Sequence, residues 1–304
     1  MKYKDWLNDW LTLYVKPTVK IRTYEKYSRL VALHISPQLG DLELIDLTAI
    51  TLQKFVVGLS EKGLSPSTVN AIITVMQKSL KTAIMVGVAD KQFSGGIRRP
   101  KMTERKVNCL TLAEQRKIEN YILKNNKVKL YGIILCLYTG LRIGELIAID
   151  WTDIDLSKGL LTVNKSCHYG KDESGVFRRI IDTPKTQNSV RTIPLPKQLI
   201  PLLKEMKRGS QSDFVIANKT KPISVRSYQK TFEVFLRKLS LPHYGFHSLR
   251  HTFATRALEC GMDVKTLSEI LGHKNPTITL SRYAHSMLHH KTEMMNRLGK
   301  GLQL

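Results

Sequence analysis

Over residues 1–90 no stretch alternates apolar with polar side chains, and this absence most limits what the chain can fold into. Apolar residues recur at helical spacing instead, so the block reads as a small helical bundle with no sheet of its own. Trp6, Trp10, Leu11 and Leu13 mark a first helix that stops near Pro17. A second starts at Thr23 and carries Tyr27, Leu30 and Val31. "LTAITLQKFVVGLSEKG" ends on the stop signal Gly63. "SPSTVNAIITVMQKSLKTAIMVG" opens with Ser65 as N-cap and Pro66 at the first helical position, where a missing N–H leaves no bond unmade.

A break follows. "KQFSGGIRRPKMTERKV", residues 91–107, combines Gly95, Gly96 and Pro100 with a run of Lys and Arg. It reads as a basic interdomain linker, either solvated or laid along a phosphate backbone. The domains are then residues 1–90 and 108–304, and two is what a chain of 304 residues suggests. In the second, Thr111 and Glu114 form a capping box, and "YGIILCLYTG" is a buried helix that stops at Gly140. From Leu160 the pattern changes. "LLTV", "FRRIID" and "VRTIPL" are short β-branched runs that read as a small antiparallel sheet. Helical signals resume at Leu195 and continue to the end. The expected fold is mainly α with a small antiparallel β-sheet: an N-terminal helical bundle and a C-terminal α+β domain.

The charge narrows the partners. With 48 Lys and Arg against 25 Asp and Glu the net charge is +23, which favours a polyanion, nucleic acid before a membrane surface. No apolar run nears the roughly 20 residues of a membrane span. The opening "MKYKDWLNDWLTLY" contains acids and lacks a small-residue cleavage site, so no signal peptide is expected. Cys109, Cys136, Cys167 and Cys260 form no C-x-x-C pair. They read as reduced, mostly buried thiols of a cytoplasmic protein, not as a zinc site.

Four local signals in the second block carry chemistry. In "TGLRIGEL" Arg142 follows the helix end at Gly140, where backbone geometry can aim its fork at a phosphate. Glu145, one turn on, steadies a cation, and an ordinary buried ion pair is the plain alternative. In "DTPKTQNS" turn formers carry Lys185 at the tip of a hairpin. In "FHSLRHTFAT" His247 and Arg250 lie three apart and share a helical face. His247 and His251 have the spacing of a metal pair, but the glutamate of metalloprotease helices is missing and Arg250 would repel the ion. In "LGHKNPTITLSRYAH" His273 follows Gly272 at a helix end, and Asn275 and Pro276 open a helix bearing Tyr283. A tyrosine on an amphipathic helix is ordinarily core, and a lone surface lysine is ordinarily solvated. Together, however, these groups bring cations to a tyrosine without the carboxylate cluster that two-metal nucleases need. That points to covalent catalysis at a phosphodiester, with tyrosine as nucleophile.

These motifs occur in the order and spacing of one family, and the chain resembles a tyrosine recombinase of the phage integrase family over its whole length. The resemblance implies an active site of Arg142, Lys185, His247, Arg250, His273 and Tyr283, with no cofactor and no metal. It implies that residues 1–90 are the SAM-like core-binding domain and 108–304 the catalytic domain, with a C-terminal tail at 287–304. Free tyrosine, with a pKa near ~10, is a poor nucleophile. His247 would take its proton, Arg142 and Arg250 would stabilise the phosphate, and His273 would donate to a non-bridging oxygen. Lys185 would protonate the leaving 5′ oxygen. A 3′-phosphotyrosyl bond conserves the bond energy, so strand exchange needs neither ATP nor metal. The implied partners are double-stranded DNA with inverted-repeat core sites, three further copies in a ring closed by exchanged tails, and an accessory DNA-bending or directionality factor. Many integrases carry a further arm-binding domain before the core-binding helices; a two-domain recombinase and a shortened integrase both fit this beginning. A type IB topoisomerase and a DNA-binding protein with a vestigial site remain the rival readings.

Overall fold

The structure is a computed structural model. It describes the chain apart from residues 90–95, 103–107, 126–127, 172–175, 183–189, 219, 274, 276, 278–291, 293–294, 297, 301 and 303–304. The chain divides into two compact units, Met1–Arg105 and Lys106–Leu304.

The first unit is helical. Helix α1 (Tyr3–Asp9) runs on into π-helical turns at Trp10–Val15, and α2 (Ile21–Leu30) does the same at Val31–Ile35. The short α3 (Ser36–Leu39), α4 (Ala49–Glu61) and α5 (Pro66–Met85) complete it. Aromatic residues of α1 and its extension pack against α5 and spend their polar atoms there. Tyr3 shares a 2.7 Å hydrogen bond with Ser79, Trp6 Nε1 donates to Ser79 O at 3.1 Å, and Trp10 Nε1 donates to Thr82 Oγ1 at 3.1 Å. Such pairing is what lets large rings with polar tips be buried. Ser65 caps α5 as its sequence indicates, accepting from the Thr68 N–H at 3.3 Å. Two details differ from the sequence reading. Helix α2 starts at Ile21, two residues early, and Leu13 is exposed because the π turns rotate it off the buried face. Residues just after 90–95 belong to this unit: Gln53 Oε1 accepts from the Arg98 N–H at 2.7 Å, and Arg99 donates to Gln77 Oε1 at 2.7 Å.

The second unit opens with α6 (Leu112–Lys124), whose Thr111–Glu114 capping box is present. Next come α7 (Tyr131–Thr139) and α8 (Ile143–Ala148). Strands β1 (Ile154–Asp155), β2 (Leu160–Val163), β3 (Ser166–Lys171), β4 (Phe177–Asp182) and β5 (Arg191–Pro194) follow. Then come α9 (Leu199–Arg208), the two-residue strands β6 (Ala217–Asn218) and β7 (Lys221–Pro222), α10 (Val225–Lys238), α11 (His247–Glu259) and α12 (Val264–Leu271). Apolar on every side, α7 lies in the core with Ile133, Ile134, Leu135 and Cys136 buried, as a helix without a polar face must.

The β-structure is not one sheet. Antiparallel strands β1, β2 and β5 form one, with Leu161 opposite Ile193; β3 and β4 form a second, with Ser166 opposite Asp182. The expected hairpin tip carrying Lys185 falls within residues 183–189. Lys185 itself lies outside the described residues. The small β6–β7 pair also interrupts the helices expected to continue from Leu195. Cys136 and Cys167 are buried, but Cys109 is half-buried and Cys260 is exposed where it ends α11, so the thiols are not mostly buried. Among the described residues no helix is long and apolar enough to cross a membrane.

Candidate active site

Two helix ends build the site. Helix α7 stops at Gly140 and α12 stops at Gly272, each in the left-handed conformation at φ 66° and 65°. A side chain at Gly140 would place its Cβ 2.5 Å from Phe253 and 2.8 Å from Leu271, so the turn takes only glycine. These turns aim terminal carbonyls at one buried group, the guanidinium of Arg250. Arg250 rises from the first turn of α11 and is 1% exposed. It donates to Gly140 O at 2.8 Å and Leu271 O at 2.6 Å, and it lies 3.0 Å from His273 Nε2. The C-terminal ends of α7 and α12 carry partial negative charge, which favours a cation between them. Carbonyl acceptors place the guanidinium without cancelling its charge.

Arg142 is the N-cap of α8, just past Gly140. Its N–H donates to Glu145 Oε2 and its Nη1 to Glu145 Oε1, both at 2.8 Å, and its Nη2 reaches Gly272 O at 3.3 Å. The ion pair anticipated as the plain alternative therefore exists, but it has a third member. Arg191, at the start of β5, donates to Glu145 Oε1 at 3.1 Å and Oε2 at 2.9 Å, and its Nε donates to Ile270 O at 2.5 Å. Burial alone would raise the Glu145 carboxyl. The hydrogen bonds and charge of Arg191, then the charge and main-chain N–H of Arg142, outweigh it and lower the pKa to about 2. Glu145 is thus a fixed anion between two arginines.

The structure gathers Arg142, Arg250 and His273 around the ends of α7 and α12. His247 opens α11 and is exposed, whereas Arg250, three residues on in the same helix, is buried. The His247 ring meets that of His251 edge-on at 4.5 Å. His273 follows Gly272, its N–H bonded to Ser268 O at 3.0 Å. Asn275 Oδ1 accepts from the Thr277 N–H at 2.9 Å, the capping geometry expected where the next helix opens. Tyr283, like Lys185, lies outside the described residues. Arg191 is the residue that sequence reasoning missed. In "VRTIPL" it looks like the polar member of a strand, and its partner Glu145 lies 46 positions away, so no local spacing signals the contact.

Chemically, one buried guanidinium and one at the rim, with an imidazole beside them, form a cationic cluster of the kind that can hold an oxyanion. Comparison with known proteins identifies the family. Residues 102–290 match the Phage integrase family, and residues 2–60 match the phage integrase N-terminal SAM-like domain. The chain is 31% identical to a XerC-like tyrosine recombinase of Caldanaerobacter subterraneus subsp. tengcongensis, across 97% of this chain and 82% of the relative. It is 26% identical to the ICEBs1 integrase of Bacillus subtilis, across 90% of this chain and 77% of that one. The Tn1549 transposon integrase, solved in complex with a circular intermediate DNA, shares the fold with a TM-score of 0.81 at 26% identity, covering 98% of this chain and 99% of that chain. A family match over more than half the length, on a chain whose arginines are held in this way, makes the protein a member of the phage integrase family of tyrosine recombinases.

Proposed function

We propose that the protein is a site-specific DNA recombinase that cleaves and rejoins strands through a 3′-phosphotyrosyl intermediate on Tyr283, integrating or excising a mobile element. The observation that carries this reading is the pair of guanidiniums, Arg250 buried and Arg142 at the rim, fixed by the glycine-terminated ends of α7 and α12 with His273 beside them. Donors fixed in advance stabilise the charge that grows on the phosphate without reorganising, typically the largest catalytic contribution. In this reading His247 takes the tyrosine proton and Lys185 supplies one to the leaving 5′ oxygen. Residues 1–90 hold the DNA as a core-binding domain, 91–107 link the two domains, and four copies assemble through the tail at 287–304. The names of the ICEBs1 and Tn1549 relatives support the mobile-element role.

The test is covalent trapping. A binding site is selected by the protein from a random-sequence duplex library, and nicked duplexes are built on it. The parent is expected to form a protein–DNA adduct stable on a denaturing gel, in excess EDTA, and Tyr283→Phe to bind equally but form none. An adduct that persists in Tyr283→Phe removes that residue as nucleophile, and an adduct that requires added magnesium removes the metal-independent mechanism.

A further inference from the structure

We propose that Arg191 is a positioning residue for strand cleavage: it takes up the charge of Glu145, so that Arg142 meets the DNA phosphate as an uncancelled cation. This rests on the proposed function, which gives Arg142 a phosphate to meet.

The geometry is a shared carboxylate. Each oxygen of Glu145 accepts one bond from each arginine: Oε1 from Arg142 Nη1 and Arg191 Nη1, Oε2 from the Arg142 N–H and Arg191 Nη2. The two arginines are not equivalent. The side chains of Arg191 and Glu145 are each 6% exposed, while that of Arg142 is 37% exposed. Arg191 spends both terminal nitrogens on the carboxylate in a fork that matches its two oxygens. Its Nε is tied to Ile270 O at 2.5 Å, and its guanidinium packs against Gly272, where a Cβ would come within 3.0 Å of it. It is therefore anchored from β5 to the end of α12. Arg142 gives the carboxylate only one side-chain nitrogen, and its other reaches the rim carbonyl of Gly272.

One negative charge between two guanidiniums leaves one positive charge, and burial of the inner pair puts it on Arg142. Without Arg191 the carboxylate would face Arg142 alone. A close contact between opposite charges in a weakly screened interior would then cancel the charge meant for DNA and draw the guanidinium inward. The alternative is that Arg191 only fastens β5 to α8 and α12. The two ideas differ in one respect: if Arg191 acts through the charge of Glu145, removing that charge makes Arg191 dispensable for cleavage.

The experiment is a double-mutant cycle, read as the single-turnover rate of adduct formation on the nicked duplexes above, with non-covalent binding measured alongside. Arg191→Met is expected to slow adduct formation about 100-fold, the loss typical of a misdirected charge-stabilising donor, while binding stays within about twofold of the parent. In a Glu145→Gln background, adding Arg191→Met is expected to change the rate by no more than about twofold. Should Arg191→Met alone fail to fold, the comparison of Glu145→Gln with the double variant still decides, because glutamine keeps an amide oxygen for Arg191 to donate to and the double variant removes both members of the buried pair. A double variant slower than Glu145→Gln by the full single-mutant factor, or an Arg191→Met protein that cleaves at the parental rate, overturns the inference. A parent that binds the site and never forms an adduct overturns the proposed function and takes this inference with it.

Discussion

Glu145 couples the chemistry of the site to the stability of the fold. Its carboxyl is lowered from 4.5 to about 2 because the bonds and charges of two arginines outweigh its burial. A depressed acid stabilises the native state fully above its unfolded value and loses that contribution as pH falls through the folded one, here from about 4.5 toward 2. The shift corresponds to at most about 3 kcal/mol. Thermal melting of the parent should therefore drop more steeply below pH ~4.5 than melting of Glu145→Gln; identical acid limbs would show that this pair does not hold the fold together. Lys185 allows a different kind of test. An alkoxide leaves poorly without a proton, so Lys185→Ala should cleave ordinary DNA about 10²–10⁴-fold slowly. It should cleave a duplex with sulfur at the bridging 5′ position nearly as fast as the parent, since a thiolate needs no proton. Arg250→Ala should gain no such rescue. Equal defects of Lys185→Ala on both substrates would leave the lysine a DNA-positioning role and make His247 the better acid.

Among the elements, helix ends were legible and strand pairing was not. Ser65–Pro66, Thr111–Glu114 and the stops at Gly140 and Gly272 are local signals, decided by residues within one turn, and the structure keeps them all. Two arginines of the candidate site were legible for the same reason, because Arg142 and Arg250 sit beside such ends. Strand β3 reads "SCHYGK", with no β-branched residue, and becomes a strand only because β4 pairs with it along its full length. Long-range register of that kind has no local signature, and the same limit hid the Arg191–Glu145 contact. Among the described residues of the C-terminal tail, Met295, Leu298 and Leu302, spaced three and four apart, are 64%, 53% and 63% exposed. Apolar side chains in helical register ordinarily find a cover, and in the proposed assembly a neighbouring copy supplies it. Deleting residues 287–304 should leave melting and single-site DNA binding near parental values and abolish paired-duplex complexes on native gels. Normal pairing and recombination by the truncated protein would remove the tail from the assembly.

For the molecule as a whole, the net charge of +23 was plain from composition, but its distribution was not. In the first unit Arg22, Lys26 and Arg29 occupy one face of α2, spaced four and three apart, and all three are exposed. Lys78 and Lys81 are exposed on α5 of the same bundle. Cations aligned along a helix and turned to solvent are what a phosphate backbone recruits, and each phosphate neutralised releases bound counterion. Affinity for duplex DNA should therefore fall steeply with salt, and the slope counts the contacts. Each lost phosphate contact should reduce the slope of log K against log salt by about 0.9. The triple variant Arg22→Ala, Lys26→Ala, Arg29→Ala should flatten it by about 2–3 and weaken selected and random duplexes alike, because phosphate contacts position without reading sequence. Melting should stay near the parental value, since the α2 face carries no core residue at these positions. If the variant kept the parental slope, DNA would lie on another face of the first unit. If it lost affinity only for the selected duplex, α2 would be reading base edges instead of gripping the backbone.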